Sequence, residues 1–490
     1  MTSLEPLSLD AFEHEARAAL ALLGALLGPD RRAWLVGGAV RDALAGGRVR
    51  ELDVAVPHGA VELGRQLADR LRAGFVVLDE ARGVCRVAGG PQIDLADFRA
   101  PDLEGDLRAR DFTVNALAVP LGALLAQGRA PVEDPTGGLR DLAARTIRLC
   151  APAALRDDPL RALRAVRLGL RPGWQLDEGV ERAACEVATA VRDVSAERLR
   201  DELVAILSEP VAGRGLRVLD EIGILPALLP ESQAMRGTAQ PLPHRFDVWE
   251  HSLRAVEGAD ALAASPEDLA PWGEALRAHL AEDLGDGLTR REALKLAALL
   301  HDVAKPQTRA VIEGKVRFIG HELLGAERAA EIAGRFRLSG RATAVVERLV
   351  RQHLRPMHLA QAGGVTRRAR YRFFRDLGDD ARDLLLLALA DAAAVGGEEP
   401  YQVWRGRGGA VVSELMAGAA EEERTAAAPA LLRGEDVMEA FGLPPGPEVG
   451  RLLARAREAQ ALGLVTTRQE ALAWLRRGPD PLLDTPPGRP

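Results

Sequence analysis

Leu35-Val36-Gly37-Gly38-Ala39-Val40-Arg41-Asp42, followed by Arg50-Glu51-Leu52-Asp53-Val54-Ala55-Val56, is the stretch whose reading decides the fold. An apolar run enters two glycines and then a helical pattern, and a second apolar run carries two alternating acids. Side chains two apart on a strand share a face, so Glu51 and Asp53 can point together at one metal pair. Paired glycines before a helix let backbone N–H groups approach a phosphate. Metal-held phosphates beside a glycine turn predict nucleotidyl transfer. An alternating acidic pair by itself is equally well a solvated strand face, so the rest of the chain has to decide.

The 490 residues suggest several domains, and 47% hydrophobic content fills large cores. Aromatic residues make up only 4%, while Ala, Leu and Arg abound, which favours helices packed by aliphatic side chains. Cys85, Cys150 and Cys185 have no metal-like spacing, and their odd number points to a reducing, cytoplasmic setting. The N-terminal stretch is acidic at Glu5, Asp10, Glu13 and Glu15 and shows no signal-peptide pattern. Leu384–Ala394 is too short to span a bilayer and contains Asp391, so no membrane partner is expected. The net charge of −7 argues against indiscriminate nucleic-acid binding. Residues 140–171 nevertheless hold eight Arg against three Asp, with Arg161, Arg164, Arg167 and Arg171 at helical spacing. That stripe is either a solvated face or a phosphate-facing surface, and its place after the glycine motif favours the second.

Residues 1–30 read as an amphipathic helix ending at Gly28-Pro29-Asp30. Strands are predicted at Trp34–Val36, Leu52–Val56, Phe75–Leu78, Val84–Ala88 and Ile93–Phe98, the last two joined as a hairpin by Gly89-Gly90-Pro91. From about residue 150 nearly every segment is helical. The class is therefore α+β: a mixed-sheet head over 1–148, a helical neck over 149–240, a histidine-bearing helical domain over 241–395, a helical tail over 396–478, and a disordered end at 479–490.

Downstream motifs supply the specificity that the first one lacks. Gln92-Ile93-Asp94-Leu95-Ala96-Asp97-Phe98-Arg99 adds a strand acid. Arg108-Ala109-Arg110-Asp111-Phe112-Thr113-Val114-Asn115-Ala116 and Asp134-Pro135-Thr136-Gly137-Gly138-Leu139-Arg140 follow, then Arg156-Asp157-Asp158-Pro159-Leu160-Arg161. Arg suits phosphate, and Asp and Asn suit hydroxyls. Asp158 accepts and Arg161 donates one helical turn away, a pair able to read a base edge, although a helix cap with a local ion pair fits the same residues.

In this order the motifs resemble those of the class II tRNA nucleotidyltransferase and bacterial poly(A) polymerase family, over roughly the first 230 residues and again near the C-terminus. The resemblance implies a polymerase-beta-like head in which Glu51, Asp53 and Asp94 are catalytic and Glu51 and Asp53 hold Mg²⁺. It implies nucleotide contacts from Gly37, Gly38, Arg41, Arg110, Asp111, Asn115, Asp158, Arg161 and Arg164. The chain departs from the family pattern at Glu51, where Asp is usual, at Ala109, where Arg is usual, and at Asp157, where Glu is usual. Ser195–Leu203 resembles the neck element and also reads as a capped helix start. The implied reaction is attack of a tRNA 3′-hydroxyl on the α-phosphorus of CTP, with ATP as the alternative donor, and loss of pyrophosphate. Between Phe98 and Asp106 only seven residues intervene, where CCA-completing members carry a longer loop. That shortness implies CC addition, with a separate A-adding enzyme acting next. Full CCA addition, A addition and poly(A) synthesis are the rival enzymatic readings, and a non-catalytic RNA-binding protein is the rival of another class.

A second set lies in the helical middle: His251, His301-Asp302, His321, His353 and Asp391. An adjacent His and Asp can ligate one metal through N and O. Residues 244–395 resemble the HD phosphohydrolase family, which implies His251, His301, Asp302 and Asp391 as core ligands of a divalent transition metal. It places His321 and His353 where members with a second metal have extra histidines. His244 stays ambiguous between ligand and bystander. Metal-dependent hydrolysis of phosphates at RNA ends is the implied activity, and a structural domain that only holds tRNA is the alternative. Helices from Gly434 to Arg477 are implied to hold the tRNA elbow; physically they are packed helices.

Overall fold

The computed structural model describes residues 6–28, 31–362, 365–396, 402–403 and 406–478. The segment expected to be disordered, 479–490, lies outside them. The chain divides into two compact units, Met1–Glu209 with Arg214–Pro230, and Pro210–Gly213 with Glu231–Pro490.

The first unit is built on strands β1 (Trp34–Val36), β2 (Leu52–Val56), β3 (Gly74–Asp79), β4 (Val84–Ala88), β5 (Ile93–Asp97) and β6 (Ala118–Pro120). They form one sheet in the order β3-β4-β5-β2-β1-β6, in which β2 and β5 are parallel and the other neighbours antiparallel. All five predicted strands are present. The sixth, β6, is only three residues long and too short for a periodicity signal. Helices α1 (His14–Leu27) and α3 (Ala60–Leu71) cover one face, where Leu20, Leu23, Leu63 and Leu67 join Leu35, Leu52, Val54, Cys85, Val87, Ile93 and Leu95 in a single core. Alternation along the strands then sends Asp53, Arg86 and Asp94 to the opposite face, beside Ala55 and Leu107.

The expected helix over 1–30 begins only at His14. Leu7–Ser8 pairs as a strand with Arg129–Ala130, and Leu7 and Phe12 are buried in the head core. Tertiary burial of those two side chains outweighs the local helical pattern.

Beyond residue 150 helices dominate, with α4 (Leu160–Gly169) and α5 (Ala196–Ser208) in the first unit. Ser195 stands at the start of α5, but its side chain makes no capping bond, contrary to expectation. In the second unit α6 (Val248–Ala264), α7 (Arg290–Leu300), α8 (His321–Arg335), α9 (Gly340–Gln352) and α10 (Asp380–Gly396) pack around buried Val256, Leu294, Leu299, Ile332, Leu349, Leu386 and Leu389. The helical pattern is broken by a hairpin, β7 (Arg309–Ile312) and β8 (Lys315–Phe318), turning at Glu313-Gly314. Both turn residues have positive φ, 52° and 74°, as a two-residue hairpin turn requires. Gly434–Phe441, Pro447–Ala461 and Arg468–Arg476 form a smaller bundle on Val437, Leu452 and Leu475. The last of these helices starts in a Thr467/Glu470 capping box. Among the described residues no helix is long and apolar enough to cross a membrane.

Candidate functional sites

The sheet face opposite the helices carries the first site. Asp53 and Asp94 stand directly beside one another on β2 and β5. Arg86, opposite Asp94 on β4, donates to both its oxygens at 2.7 and 2.8 Å. Glu51 precedes β2 and is exposed. The glycine turn between β1 and α2 (Gly37–Leu44) closes on Asp53: the Ala39 amide donates to its Oδ2 at 3.4 Å. Gly37 has φ +66°, and a Cβ there would lie 2.8 Å from the same oxygen. Here the glycines make room for the Asp53 carboxylate. Burial pushes the Asp53 carboxyl above its usual range and neighbouring Asp94 adds to this, while Arg110 and the Gly38 and Ala39 amides oppose it. Asp53 and Asp94 set carboxylate oxygens on one face, a donor type that suits a hard cation such as Mg²⁺, and Arg86 already holds Asp94.

From this point a continuous polar chain runs to the helices. Buried Arg41 donates to Asn115 Oδ1 at 2.6 Å and to Asp42 at 2.9 and 2.8 Å. Asn115 donates to Asp111 Oδ1 at 3.1 Å, and Arg164 on α4 donates to Asp111 Oδ2 at 3.3 Å. Arg164 Nε and Arg167 Nε reach Glu202 on α5 at 3.1 and 2.9 Å, and Arg171 reaches Asp42 at 2.6 Å. Burial works against ionised Asp111, yet Arg164, Asn115 and the Phe112 amide hold its carboxyl below the ordinary range. The arginine stripe is therefore largely ion-paired from within, while the Arg164, Arg167 and Arg171 side chains stay partly exposed. Arg110 donates to buried Asp106 at 3.1 and 2.9 Å.

Asp158 and Arg161 are not one turn apart on one helix. Asp158 has extended backbone (φ −150°, ψ 96°) at the break between Ala154–Asp157 and α4, because Pro159 disfavours helical conformation in the residue before it. Its Oδ2 accepts from Arg198 at 2.7 Å and its Oδ1 from the Leu160 amide at 3.3 Å, while Arg161 Nη1 donates to the Ala154 carbonyl at 3.3 Å. The two remain neighbours through the Arg161 amide on the Asp158 carbonyl, 3.0 Å. Glu202, Asp42, Asp106, Arg86 and Arg198 hold the site's side chains, yet no motif reading singled them out. For Glu202 the clue was its place in the quoted Ser195–Leu203 run.

The second site is the histidine centre. Gly258 on α6 faces Ala390 on α10, and a Cβ on Gly258 would lie 3.1 Å from the Ala390 Cα, so two small residues let these helices approach. That approach sets His251 Nε2 3.0 Å from Asp391 Oδ1. His301 caps the end of α7, Asp302 follows it, His321 opens α8 and His353 ends α9. The donor atoms fall into two sets, His251/His301/Asp391 and Asp302/His321/His353, each within 4.8 Å. Asp302 joins them: Oδ2 is 3.2 Å from His301 Nε2 and Oδ1 is 3.3 Å from His321 Nε2. All six expected ligands thus converge. His301, His321 and His353 each place Nδ1 on the carbonyl three residues back, at 2.8, 2.6 and 2.7 Å, which leaves Nε2 for a ligand. Lys305 Nζ sits 2.5 Å from Asp302 Oδ2. Nε2–Nε2 approaches of 3.3 Å (His251–His301) and 3.2 Å (His321–His353) bring lone pairs together, and a pair of divalent ions fits that donor set.

Comparison with known proteins agrees with this layout. Residues 33–148 match the poly A polymerase head domain, 173–235 the probable RNA and SrmB-binding site of polymerase A, and 248–395 the HD domain. The chain is 38% identical over 453 residues to an A-adding tRNA nucleotidyltransferase of Deinococcus radiodurans, covering 90% of this chain and 94% of that protein. It is 35% identical over 455 residues to a CC-adding tRNA nucleotidyltransferase of Thermus thermophilus, covering 90% and 93%. A solved CCA-adding enzyme in its apo form shares the fold at TM-score 0.63 and 19% identity, with 96% of each chain covered. With Asp53 and Asp94 side by side on the sheet and these relatives matched almost end to end, the chain belongs to the class II tRNA nucleotidyltransferase family, fused to an HD domain.

Proposed function

We propose that this chain adds the two cytidines of the tRNA 3′ end from CTP and leaves the terminal A to a separate enzyme. The observation that carries the reading is the link from β5 to the next helix. Arg99–Asp102 is all that joins Phe98 to Leu103–Arg108, and it is tied down at both ends. Asp102 caps that helix through the Gly105 amide at 2.8 Å, and the Arg99 amide donates to Asp106 at 3.1 Å. A segment this short and this bonded has little freedom to rearrange for a second, different nucleotide.

Glu51, Asp53 and Asp94 would hold Mg²⁺, which when bound favours the ionised 3′-hydroxyl and offsets triphosphate charge. Arg41, Asn115, Asp111 and Arg164 orient sugar and triphosphate, and the Arg164–Glu202 pair keeps that guanidinium facing the site. Asp158 accepts from the cytosine amino group and Arg161 donates to the ring acceptors, so the protein takes the part of a template strand. The 3′-oxygen bonds to the α-phosphorus as the bond to pyrophosphate breaks.

The test is addition to a tRNA transcript lacking CCA, with CTP and ATP supplied singly and together. Two C residues followed by arrest are expected. Complete CCA refutes the short-link argument. The A-adding relative at 38% identity makes addition of A alone the second reading, recognised by transfer from ATP onto a transcript ending in CC.

For the histidine centre the reading is a phosphohydrolase acting on phosphates at RNA ends, which would otherwise block nucleotide addition. His251, His301, Asp391, Asp302, His321 and His353 would hold divalent transition metals, which when bound supply a reactive hydroxide and charge stabilisation. Phosphatase activity unchanged in His301→Ala and Asp302→Ala would remove this reading.

A further inference from the structure

Beside the six expected ligands stands a fifth imidazole ring, His244, placed by the strap that enters α6. The rings form a file: His244–His251, His251–His301 and His301–His353 centroids are each 5.2 Å apart, and His353–His321 are 5.1 Å apart. His244 also shares the lock seen on three of the ligands. Its Nδ1 lies 3.2 Å from the carbonyl of Pro241, three residues back. An Nδ1–H held by a carbonyl leaves Nε2 as an acceptor. Unlike the other four rings, which are at most 5% exposed, His244 is only half-buried. It also stands outside both three-donor sets. It is therefore the most exposed ring, at one end of the file.

The strap is built to hold that position. The Gly237 amide donates to Asp247 at 2.8 Å and the Val248 amide to the Thr238 carbonyl at 3.1 Å. Lys305 donates to Gln240 Oε1 at 2.7 Å while also meeting Asp302, so one ammonium joins the strap to the ligand bridge. Gln240 in turn donates to the Phe246 carbonyl at 3.3 Å. A phosphoryl group at the ligands would find the Lys305 cation at its flank and the His244 acceptor just beyond.

We propose that His244 is a substrate-contacting residue of the histidine centre, its Nε2 accepting a hydrogen bond from the hydroxyl next to the ester phosphate. The substrate class is then a ribonucleotide monoester with a free vicinal hydroxyl. This rests on the phosphohydrolase reading above.

The experiment compares cytidine 3′-monophosphate with 2′-deoxycytidine 3′-monophosphate on the metal-loaded full chain, wild type against His244→Phe, with bound metal measured in both. One neutral hydrogen bond predicts a wild-type preference for the ribo-ester of about three- to tenfold. His244→Phe should level the two by lowering only the ribo-ester, with metal content unchanged. His244→Ala serves if the larger ring unsettles the strap. A preference that survives both substitutions overturns the proposal. So does loss of metal, which would make His244 a ligand. If the wild type hydrolyses neither ester, the phosphohydrolase reading fails; equilibrium dialysis with the same two nucleotides, subtracting binding that persists in Asp302→Ala, still reads the ratio and decides the role of His244.

Discussion

Glu202→Gln removes the anchor of the polar chain in the head while keeping the side chain's size. Glu202 is buried and accepts from both Arg164 and Arg167. The amide keeps one acceptor and turns an NH₂ toward a guanidinium. Breaking a buried ion pair costs about 3–5 kcal/mol, but the Arg164 and Arg167 side chains are 42% and 28% exposed, so water recovers part of it. About 2 kcal/mol should be lost, lowering the first unit's melting temperature by about 4–8 °C. Arg164 would then be steered by Asp111 alone. If misplacing it costs the bound triphosphate about 1.4 kcal/mol, KM for CTP rises about tenfold, while kcat moves little because the acids near Asp53 are untouched. Thermal melting and steady-state incorporation of CTP into a transcript lacking CCA check both numbers. A melting temperature within about 1 °C of wild type together with an unchanged KM would refute the idea that this pair positions Arg164.

Gly37→Ala should abolish most transfer while leaving the unit folded, because its Cβ meets Asp53 Oδ2 in a backbone region costing about 1–2 kcal/mol for Ala. Incorporation assays with circular dichroism read the two effects apart. Gly258→Val should lower the metal content of the histidine centre by driving α6 away from Ala390, measured by elemental analysis of the metal-loaded chain. Asp260, paired with Lys295 at 2.9 Å, has its carboxyl pushed up to about 6 by burial. The folded state then holds this proton more tightly than the unfolded chain, so its contribution to stability grows as pH falls from about 6 to 4. Asp260→Asn should flatten that part of a pH–melting profile.

The sequence alone determined the family, the five main strands and which histidines and aspartates of the helical middle come together. These are carried by motif order and by period-2 and period-3.6 patterns, which are local properties of the chain. Asp53 and His301-Asp302 could be singled out because the chemistry the motifs point to needs those residue types at fixed spacing. What tertiary structure decided was pairing. Leu7 and Phe12 abandon the helical pattern because the head core buries them. Asp158 leaves its helix because Pro159 follows it. The arginine stripe is occupied because Glu202, Asp111 and Asp42 arrive from 35, 53 and 129 residues away. His244 gains meaning only once α6 sets it against His251. Each of these outcomes depends on which distant groups share a buried space, and no window of sequence carries that distance.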